Sequence, residues 1–375
     1  MPDQPKHMNE ILRDMPKNWG KWGKDDEIGS INYLTPAEVV RGARAVRSGK
    51  TFALGVPVGR KEGDPIYPGR GQPVKTMNMD KGFYYNDAAP QFPGGLEYAD
   101  DVIFMYVQGT TQYDALGHVW YDDKLYNGYD AKTTIGGLKK CSIKPIAEHG
   151  VVGRGVLLDV ARYKGVKHLG PNQQITLDDL KKTAEKQKVK LEKHDILVIR
   201  TGWMEVFYEE GADAFFPNKG MAEPGITDEP ALIKWFHEME IPSFSTDTIA
   251  NEQTTSSVSS VFLPLHGALL RDLGIPFNEI CYLKDLADDC AKDGQYDFLF
   301  VGAPLKIVGG TGSPVNRWPS SEDVAAAAPV SGLEHRCDGS SAPSPSSRPC
   351  GRGRICSARA SVARPRPIRC DAAVR

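Results

Sequence analysis

The sequence predicts a single domain of the mixed α/β class. Several short apolar runs have the length and composition of buried strands. Segments with helical spacing and recognisable N-terminal caps separate these runs. No internal repeat is present, which argues against a solenoid. This pattern leaves open whether the sheet is an open β/α arrangement or a barrel-like one.

The first predicted helix follows residues 35–38 (TPAE), a capping box with proline at the first helical position. Apolar residues then recur at helical spacing, at Val39, Val40, Ala43 and Val46. We therefore expect a helix with one apolar face over residues 36–46.

A stretch rich in Gly, Pro and Asp follows at residues 63–95 and has few periodic signals. Its length predicts an ordered loop or arm near a site or an interface. Buried strands are predicted downstream at Val102–Val107, Val151–Val160, Ile196–Ile199 and Phe298–Val301. Two further helices are predicted, one capped by Thr176 and one with an apolar face formed by Ala231, Leu232, Trp235, Phe236 and Met239.

Composition divides the 375 residues into two unlike parts. Residues 1–318 hold all 26 Lys and 11 Arg, whereas residues 319–375 hold nine Arg, no Lys and four of the seven Cys. The second part is rich in Ala, Ser, Pro and Arg with few large apolar residues, which predicts a disordered tail. Residues 1–318, with an N-terminal arm of about 34 residues, then form the only predicted domain.

Charge and hydropathy narrow the classes of partner. The formal net charge of −2 gives no field that would collect nucleic acid, so such a partner is not expected. No apolar run reaches the ~18 residues needed to cross a bilayer, and the first 20 residues lack a signal-peptide core. We therefore expect no membrane partner and a cytoplasmic protein.

The best candidate site is the segment 108–118 (QGTTQYDALGH), which follows a predicted strand. Gln108, Gln112, Asp114 and His118 are all even-numbered, so an extended backbone would direct them to one face, and a helical turn would still pair Asp114 with His118. Side chains after a strand commonly line the site in α/β proteins. The alternative is a capped turn with a buried, hydrogen-bonded histidine.

A second candidate pair is His266, in a predicted helix, and Glu279, at the start of an expected strand over Ile280–Leu283. Histidine and carboxylate together suit zinc or manganese. The glycine-rich segment 309–314 (GGTGSP) is predicted to be a turn, because proline stands where a phosphate-binding helix would begin and no lysine is placed for a phosphate. No GxSxG motif for a serine hydrolase is present.

Several segments together resemble the metal-dependent cyclase family, which includes bacterial arylformamidases and isatin hydrolase. They are residues 18–34 (NWGKWGKDDEIGSINYL), 48–55 (SGKTFALG), 108–118, 199–203 (IRTGW) and 304–316. The resemblance covers roughly residues 10 to 318 and implies a swivelling β/β/α fold, with a mixed sheet or barrel-like core flanked by helices. It also implies a homo-oligomer.

The family's signature is HxGTHxDxxxH, in which two histidines and the aspartate bind metal and the last histidine acts as acid and base. In this sequence Asp114 matches the aspartate and His118 the last histidine, while Gln108 and Gln112 replace the two metal-binding histidines. His266 and Glu279 match two further ligands of the family. The resemblance thus implies one Zn or Mn ion held by Asp114, His266 and Glu279, with Gln112 as a fourth donor.

The resemblance implies a hydrolase of an amide, cyclic amide or lactone bond in a small aromatic or heterocyclic molecule. The metal would polarise the carbonyl and His118 would move the proton, while Gln108, Thr111 and Tyr113 would contact substrate. Two alternatives remain. Asp114 and His118 could catalyse a dehydration, cyclisation or isomerisation without metal, or the protein could bind a small molecule without turning it over.

Overall fold

A curled, mixed sheet of nine strands forms the centre of the protein in the computed structural model. The structure describes residues 7–85, 92–316 and 320–322, and of the last three only the backbone. The strands of the sheet follow the order β1-β13-β11-β5-β7-β9-β10-β4-β12. Two small sheets accompany it, β2–β3 and β6–β8. In chain order the strands are β1 Ser48–Thr51, β2 Val74–Met79, β3 Asp100–Phe104, β4 Gln112–Asp114, β5 Val151–Asp159, β6 Gln174–Ile175, β7 Ile196–Arg200, β8 Gly225–Ile226, β9 Phe244–Thr246, β10 Phe277–Glu279, β11 Asp297–Gly302, β12 Gly312–Pro314 and β13 Ser320–Glu322.

Four neighbouring strands of the large sheet, β5, β7, β9 and β10, run parallel to one another. Strand β4 pairs antiparallel with both β10 and β12. All residues of β7 and β4 are buried, because elements cover these strands on both faces. The parallel strands bring their carboxyl ends to one edge of the sheet, and Glu279 is the last residue of β10.

Helices flank the sheet and connect its strands. The α-helices are α1 Met8–Ile11, α2 Pro36–Ala43, α3 Ile143–His149, α4 Val160–Tyr163, α5 Leu177–Gln187, α6 Trp203–Glu209, α7 Ala212–Phe215, α8 Pro230–Glu238 and α9 Lys284–Asp293. Short 3₁₀ segments occur at Gly29–Tyr33, Phe83–Tyr85, Tyr126–Gly128, Ala131–Thr134 and Pro217–Lys219. A seven-residue π-helix spans His266–Asp272, where the sequence predicted an ordinary helix.

The predicted class, mixed α/β, is confirmed, and so are several of its elements. Strands β5, β7 and β11 lie where apolar runs predicted them. Helix α5 begins with the predicted cap, in which Thr176 and Asp179 form a reciprocal capping box. Helix α8 buries Leu232, Trp235 and Phe236 of its predicted apolar face, whereas Ala231 is exposed and Met239 is only partly buried.

Other predictions about elements were wrong. The run beginning at Val102 lies partly in β3, but that strand is exposed along its whole length and, within the described residues, pairs only with β2. The strand expected over Ile280–Leu283 ends instead at Glu279, because Ile280 has a positive φ of 56° that breaks the extended backbone. The glycine-rich segment 309–314 is a turn only at its start, since Gly312–Pro314 continues as a strand paired with β4.

Helix α2 forms as predicted but packs differently. Thr35 makes no side-chain capping bond, and Val39 and Val40 are exposed. The buried residue of the helix is Gly42, whose Cα lies so close to β5 that a Cβ would stand 2.5 Å from the backbone of Gly153. The expected apolar face is therefore not the packing face.

Within the described residues no helix is both long and apolar enough to span a bilayer. The boundary expected at residue 318 stays a prediction. Residues 320–322 of the expected tail form β13 beside β1 and β11, and positions from 323 onward lie outside the described residues.

Candidate active site

Strands β4 and β10 place three polar side chains next to one another at the carboxyl edge of the sheet. Gln112 and Glu279 are direct cross-strand partners, and the Gln112 amide donates a hydrogen bond to Oε2 of Glu279 at 2.7 Å. Asp114 lies two residues further along β4 and so shares the face of Gln112. Gly312 of β12 pairs with Asp114. A Cβ at position 312 would lie only 2.6 Å from the amide nitrogen of Gln108, so the glycine leaves room for that side chain.

His266 reaches the same cluster from the first residue of the π-helix. Its Nε2 lies 3.6 Å from Oε1 of Glu279. Its Nδ1 lies 2.6 Å from Oε1 of Glu252, and the same carboxylate accepts the backbone N–H groups of Leu265 and His266. Glu252 therefore caps the π-helix and holds a proton on Nδ1, which leaves the Nε2 lone pair directed at the cluster.

The oxygen atoms around His266 lack hydrogen-bond partners among the described residues. They are both carboxylate oxygens of Asp114, Oε1 of Glu279 and Oε1 of Gln112, all buried. Donor atoms of Asp114, His266 and Glu279 lie within 4.8 Å of one another. Two donors on opposite sides of one ion bound at about 2.2 Å are about 4.4 Å apart, so the cluster has nearly the size that one ion requires. These residues fit a divalent cation.

The electrostatics of the cluster also favour a bound cation. Burial and the neighbouring carboxylate of Asp114 raise the pKa of Glu279 well above its ordinary value. Two buried carboxylates without a compensating charge repel one another, and a cation between them would remove that penalty.

His118 lies beside the cluster rather than in it. Its Nε2 is 3.9 Å from Oδ2 of Asp114, and its Nδ1 is 3.4 Å from the amide of Gln108. That amide also donates to the hydroxyl of Thr311 at 3.0 Å, which fixes its position. Burial lowers the pKa of His118, and the nearby charge of Arg70 adds to this effect, although Asp114 opposes it. The imidazole is therefore mainly neutral at pH 7.

A cavity of about 220 Å³ opens onto the cluster. Its polar lining consists of His118, His266, Glu279 and Arg70. The remaining lining is apolar or aromatic: Tyr67, Val119, Met221, Ile249, Ala250, Phe262 and Leu263. A cavity with few polar groups converging at one end is the usual form of a small-molecule site.

Comparison with known proteins identifies the family. The family model described as Cyclase matches residues 52–253. A crystal structure described as a novel cyclase is 40% identical, with a TM-score of 0.72, over 81% of this chain and 99% of the other. The chain belongs to the cyclase family.

More distant solved structures share the fold of this cyclase-family chain. Isatin hydrolase A from Labrenzia aggregata is 19% identical, with a TM-score of 0.51, over 73% of this chain and 94% of its own. Isatin hydrolase A from Ralstonia solanacearum is 18% identical, with a TM-score of 0.53, over 73% and 92%. No curated protein matches the sequence.

The cyclase-family chain brings most of its predicted site residues together. Asp114, His266, Glu279 and Gln112 form the cluster, and His118 and Gln108 lie next to it. Thr111 and Tyr113, predicted to contact substrate, do not line the cavity. The Thr111 hydroxyl bonds the backbone of Val56 and Ile280, and Tyr113 points to the other face of β4, against Gly302.

Sequence reasoning missed three residues of this site: Glu252, Glu223 and Arg70. Glu223 is fully buried and accepts the backbone N–H groups of Ile249 and Ala250, which form part of the cavity wall. A signal for Glu252 existed in residues 246–254 (TDTIANEQT), a polar run between two apolar segments that is buried throughout. Nothing in the sequence marked Arg70, which lies in the irregular segment before β2.

Proposed function

We propose that this protein is a metal-dependent hydrolase of an amide, cyclic amide or lactone bond in a small aromatic or heterocyclic molecule. One observation carries the proposal. Four buried oxygen atoms of Asp114, Glu279 and Gln112 lack hydrogen-bond partners among the described residues, and Asp114 and Glu279 form a compact cluster with His266 beside a largely apolar cavity. The isatin hydrolases, which share the fold, support hydrolysis as the reaction class.

Asp114, His266 and Glu279 would hold the metal, and the Gln112 amide oxygen would serve as a fourth donor. One nitrogen and several oxygen donors suit Mn²⁺ or Zn²⁺, and the scarcity of nitrogen donors favours the harder Mn²⁺. When bound, the ion would polarise the substrate carbonyl and make a water molecule more acidic.

His118 would move the proton in this reaction. Its depressed pKa keeps the imidazole neutral, so that a ring nitrogen can accept a proton from water at neutral pH and return it to the leaving nitrogen or oxygen. The Gln108 amide, fixed by Thr311, lies 3.4 Å from Nδ1 and helps to position the ring. The apolar wall of the cavity would exclude bulk water and take up an aromatic ring.

The test combines metal analysis with a panel of aryl formamides, cyclic imides and lactones. For wild type we expect about one Mn or Zn per chain and turnover of at least one compound class. His118→Ala should keep the metal and lose about 10²–10⁴-fold in kcat, whereas His266→Ala should lose both. His149→Ala, in an exposed histidine whose Nδ1 lies 2.8 Å from the carbonyl oxygen of Gly150, is the matched control. Unchanged turnover in both site variants would overturn the assignment.

A second candidate is a metal-independent cyclase, dehydratase or isomerase. It is favoured by the pairing of His118 with Asp114, whose carboxylate has no other polar partner among the described residues. Activity that survives exhaustive chelation would support it. Tight binding of panel compounds without turnover would instead support a catalytically silent binding protein.

A further inference from the structure

Among the described residues, Arg70 is the only lysine or arginine that lines the cavity beside His118, His266 and Glu279. It belongs to the irregular segment before β2, not to the sheet that carries the cluster. The position of the Arg70 side chain therefore depends on its contacts at the cavity wall. These contacts show which of its N–H donors remain available to a ligand.

Two contacts hold the guanidinium in place. Nη1 donates a hydrogen bond to the backbone carbonyl of Gln108 at 3.0 Å, and the guanidinium lies 5.6 Å from the centre of the Tyr67 ring. No carboxylate lies within ion-pair distance of Arg70 in the part of the chain that the structure describes. Most of its N–H donors thus remain available on a wall that is otherwise apolar.

Arg70 could also serve as a countercharge to the acidic cluster, since it lowers the pKa of Glu279. That role needs no place on the cavity wall, and the guanidinium forms no ion pair with Glu279 or Asp114. An arginine fork on an apolar wall, at a distance from its nearest carboxylates, is better suited to bind an anion that enters with the ligand.

We propose that Arg70 binds a carboxylate group of the substrate, so that the substrate class is a carboxylic acid bearing the amide or lactone to be cleaved. This inference rests on the proposed function, because it assigns the scissile carbonyl to the part of the cavity lined by His118, His266 and Glu279. A planar carboxylate matches the guanidinium fork in both shape and charge.

The experiment measures binding and turnover separately. Isothermal titration calorimetry gives Kd for a panel of aromatic monocarboxylates and their matched primary amides, with wild type, Arg70→Met, Arg70→Lys and the control Arg60→Met. Arg60 lies in the same segment, but it contacts Glu62 and Tyr208 and does not line this cavity. Turnover of 2-formamidobenzoate and its methyl ester is measured in parallel.

Wild type and Arg60→Met should bind at least one carboxylate about 10- to 100-fold more tightly than its amide. Arg70→Met should lose that preference with unchanged metal content, and Arg70→Lys should retain part of it. The inference is overturned if wild type shows no preference for carboxylates, or if the preference persists in Arg70→Met. It is also overturned if Arg70→Met loses its metal and its binding of both carboxylates and amides. A preference that depends on Arg70 without hydrolysis of any compound would count against the proposed function alone.

Discussion

At the scale of single residues, Glu252 determines how His266 faces the site. One carboxylate accepts the imidazole Nδ1–H and the two backbone N–H groups that open the π-helix. Carboxylates that orient a metal-binding histidine fix its tautomer and increase its basicity. Glu252 thus links the backbone at the start of the π-helix to the direction of Nε2 of His266, the atom expected to bind the metal.

We expect Glu252→Gln to lower metal affinity by about 10- to 100-fold. The amide has a single oxygen to serve three donors, so its NH₂ group would face Leu265 or His266 and turn the imidazole. Equilibrium dialysis against Mn²⁺ and Zn²⁺ with metal analysis measures the effect.

Glu223→Gln is the matched control. Glu223 is a buried carboxylate that also accepts two backbone N–H groups, but it makes no bond to His266. Burial raises its pKa to about 8, and in the variant the NH₂ group would face one of the two backbone donors, so the control carries a similar local strain without a bond to His266. Equal loss of metal in both variants would show that Glu252 acts only by supporting the fold.

At the scale of elements, α2 shows why spacing alone misjudged a packing face. The helix lies against β5 through Gly42 and is tied down by Arg41, which binds Asp195 at 2.6 Å. Close approach of the two backbones, and not burial of Val39 or Val40, joins the elements. A periodicity argument weighs apolar side chains and gives no weight to a glycine.

Gly42→Ala should lower the free energy of unfolding by about 2 kcal/mol. Overpacking against the Gly153 backbone costs up to about 3 kcal/mol, and the gain in helix propensity returns only about 1 kcal/mol. Urea unfolding of wild type and variant measures the difference. Gly170→Ala, where the nearest atom would be 3.7 Å from the Cβ, should be near neutral, and an equally stable Gly42→Ala would refute the close-packing account.

Prediction from sequence succeeded where a segment's own residues determine its structure. The apolar runs of β5 and β7 drive their burial, and α5 carries its cap in its sequence. Strands β4 and β9 have three residues each, which is too short for a period, and β3 contains the apolar residues Val102–Phe104 yet is exposed.

The site follows the same division. A resemblance of motifs was enough to propose His118, Asp114, His266 and Glu279. Their positions along the chain did not indicate that they come together in the fold. Glu252 and Arg70 were missed because their roles arise from contacts between segments. The polar run around Glu252 gives no indication that this residue caps a helix 14 residues later, and Arg70 in its irregular segment leaves no pattern in the sequence.

At the scale of the whole molecule, ion pairs between distant segments make stability depend on pH. Partial burial would raise the pKa of Glu240, but hydrogen bonds from His194, Lys21 and Lys193 outweigh it and lower the pKa to about 2. His194 also contacts Glu38 of α2 through its other ring nitrogen at 3.0 Å. These contacts join three parts of the chain: the segment after α8, the turn before β7 and the N-terminal region.

Glu240→Gln should therefore lower stability by about 1–2 kcal/mol at pH 7, allowing for partial exposure. Because the folded pKa lies below the ordinary value of 4.5, the stabilisation is present above pH 4.5 and is lost as pH falls towards 2. Urea unfolding at pH 7, 5 and 3 should show the difference between wild type and variant shrinking at pH 3. Glu185→Gln, in an exposed glutamate of α5, is the control. A difference that stays constant with pH would exclude the ion pairs as its source.

The hairpin of β2 and β3 gives the whole molecule an unpaired apolar surface. Val74 pairs with Phe104 and Thr76 with Val102, which places these four side chains on one face. Val74, Val102 and Phe104 are 61%, 55% and 75% exposed. An isolated two-stranded hairpin is only marginally stable in water, and its edges can pair with another chain.

We therefore expect this face to bind the same face of a second copy, since a self-complementary patch closes a two-fold dimer. Light scattering coupled to size exclusion should give wild type at least twice the monomer mass at micromolar concentration. Val102→Gln with Phe104→Gln should shift the protein towards monomer, whereas Ile103→Gln, on the opposite face of the hairpin, should not. A monomeric wild type, or an assembly that the double substitution leaves intact, would rule out self-association through this face.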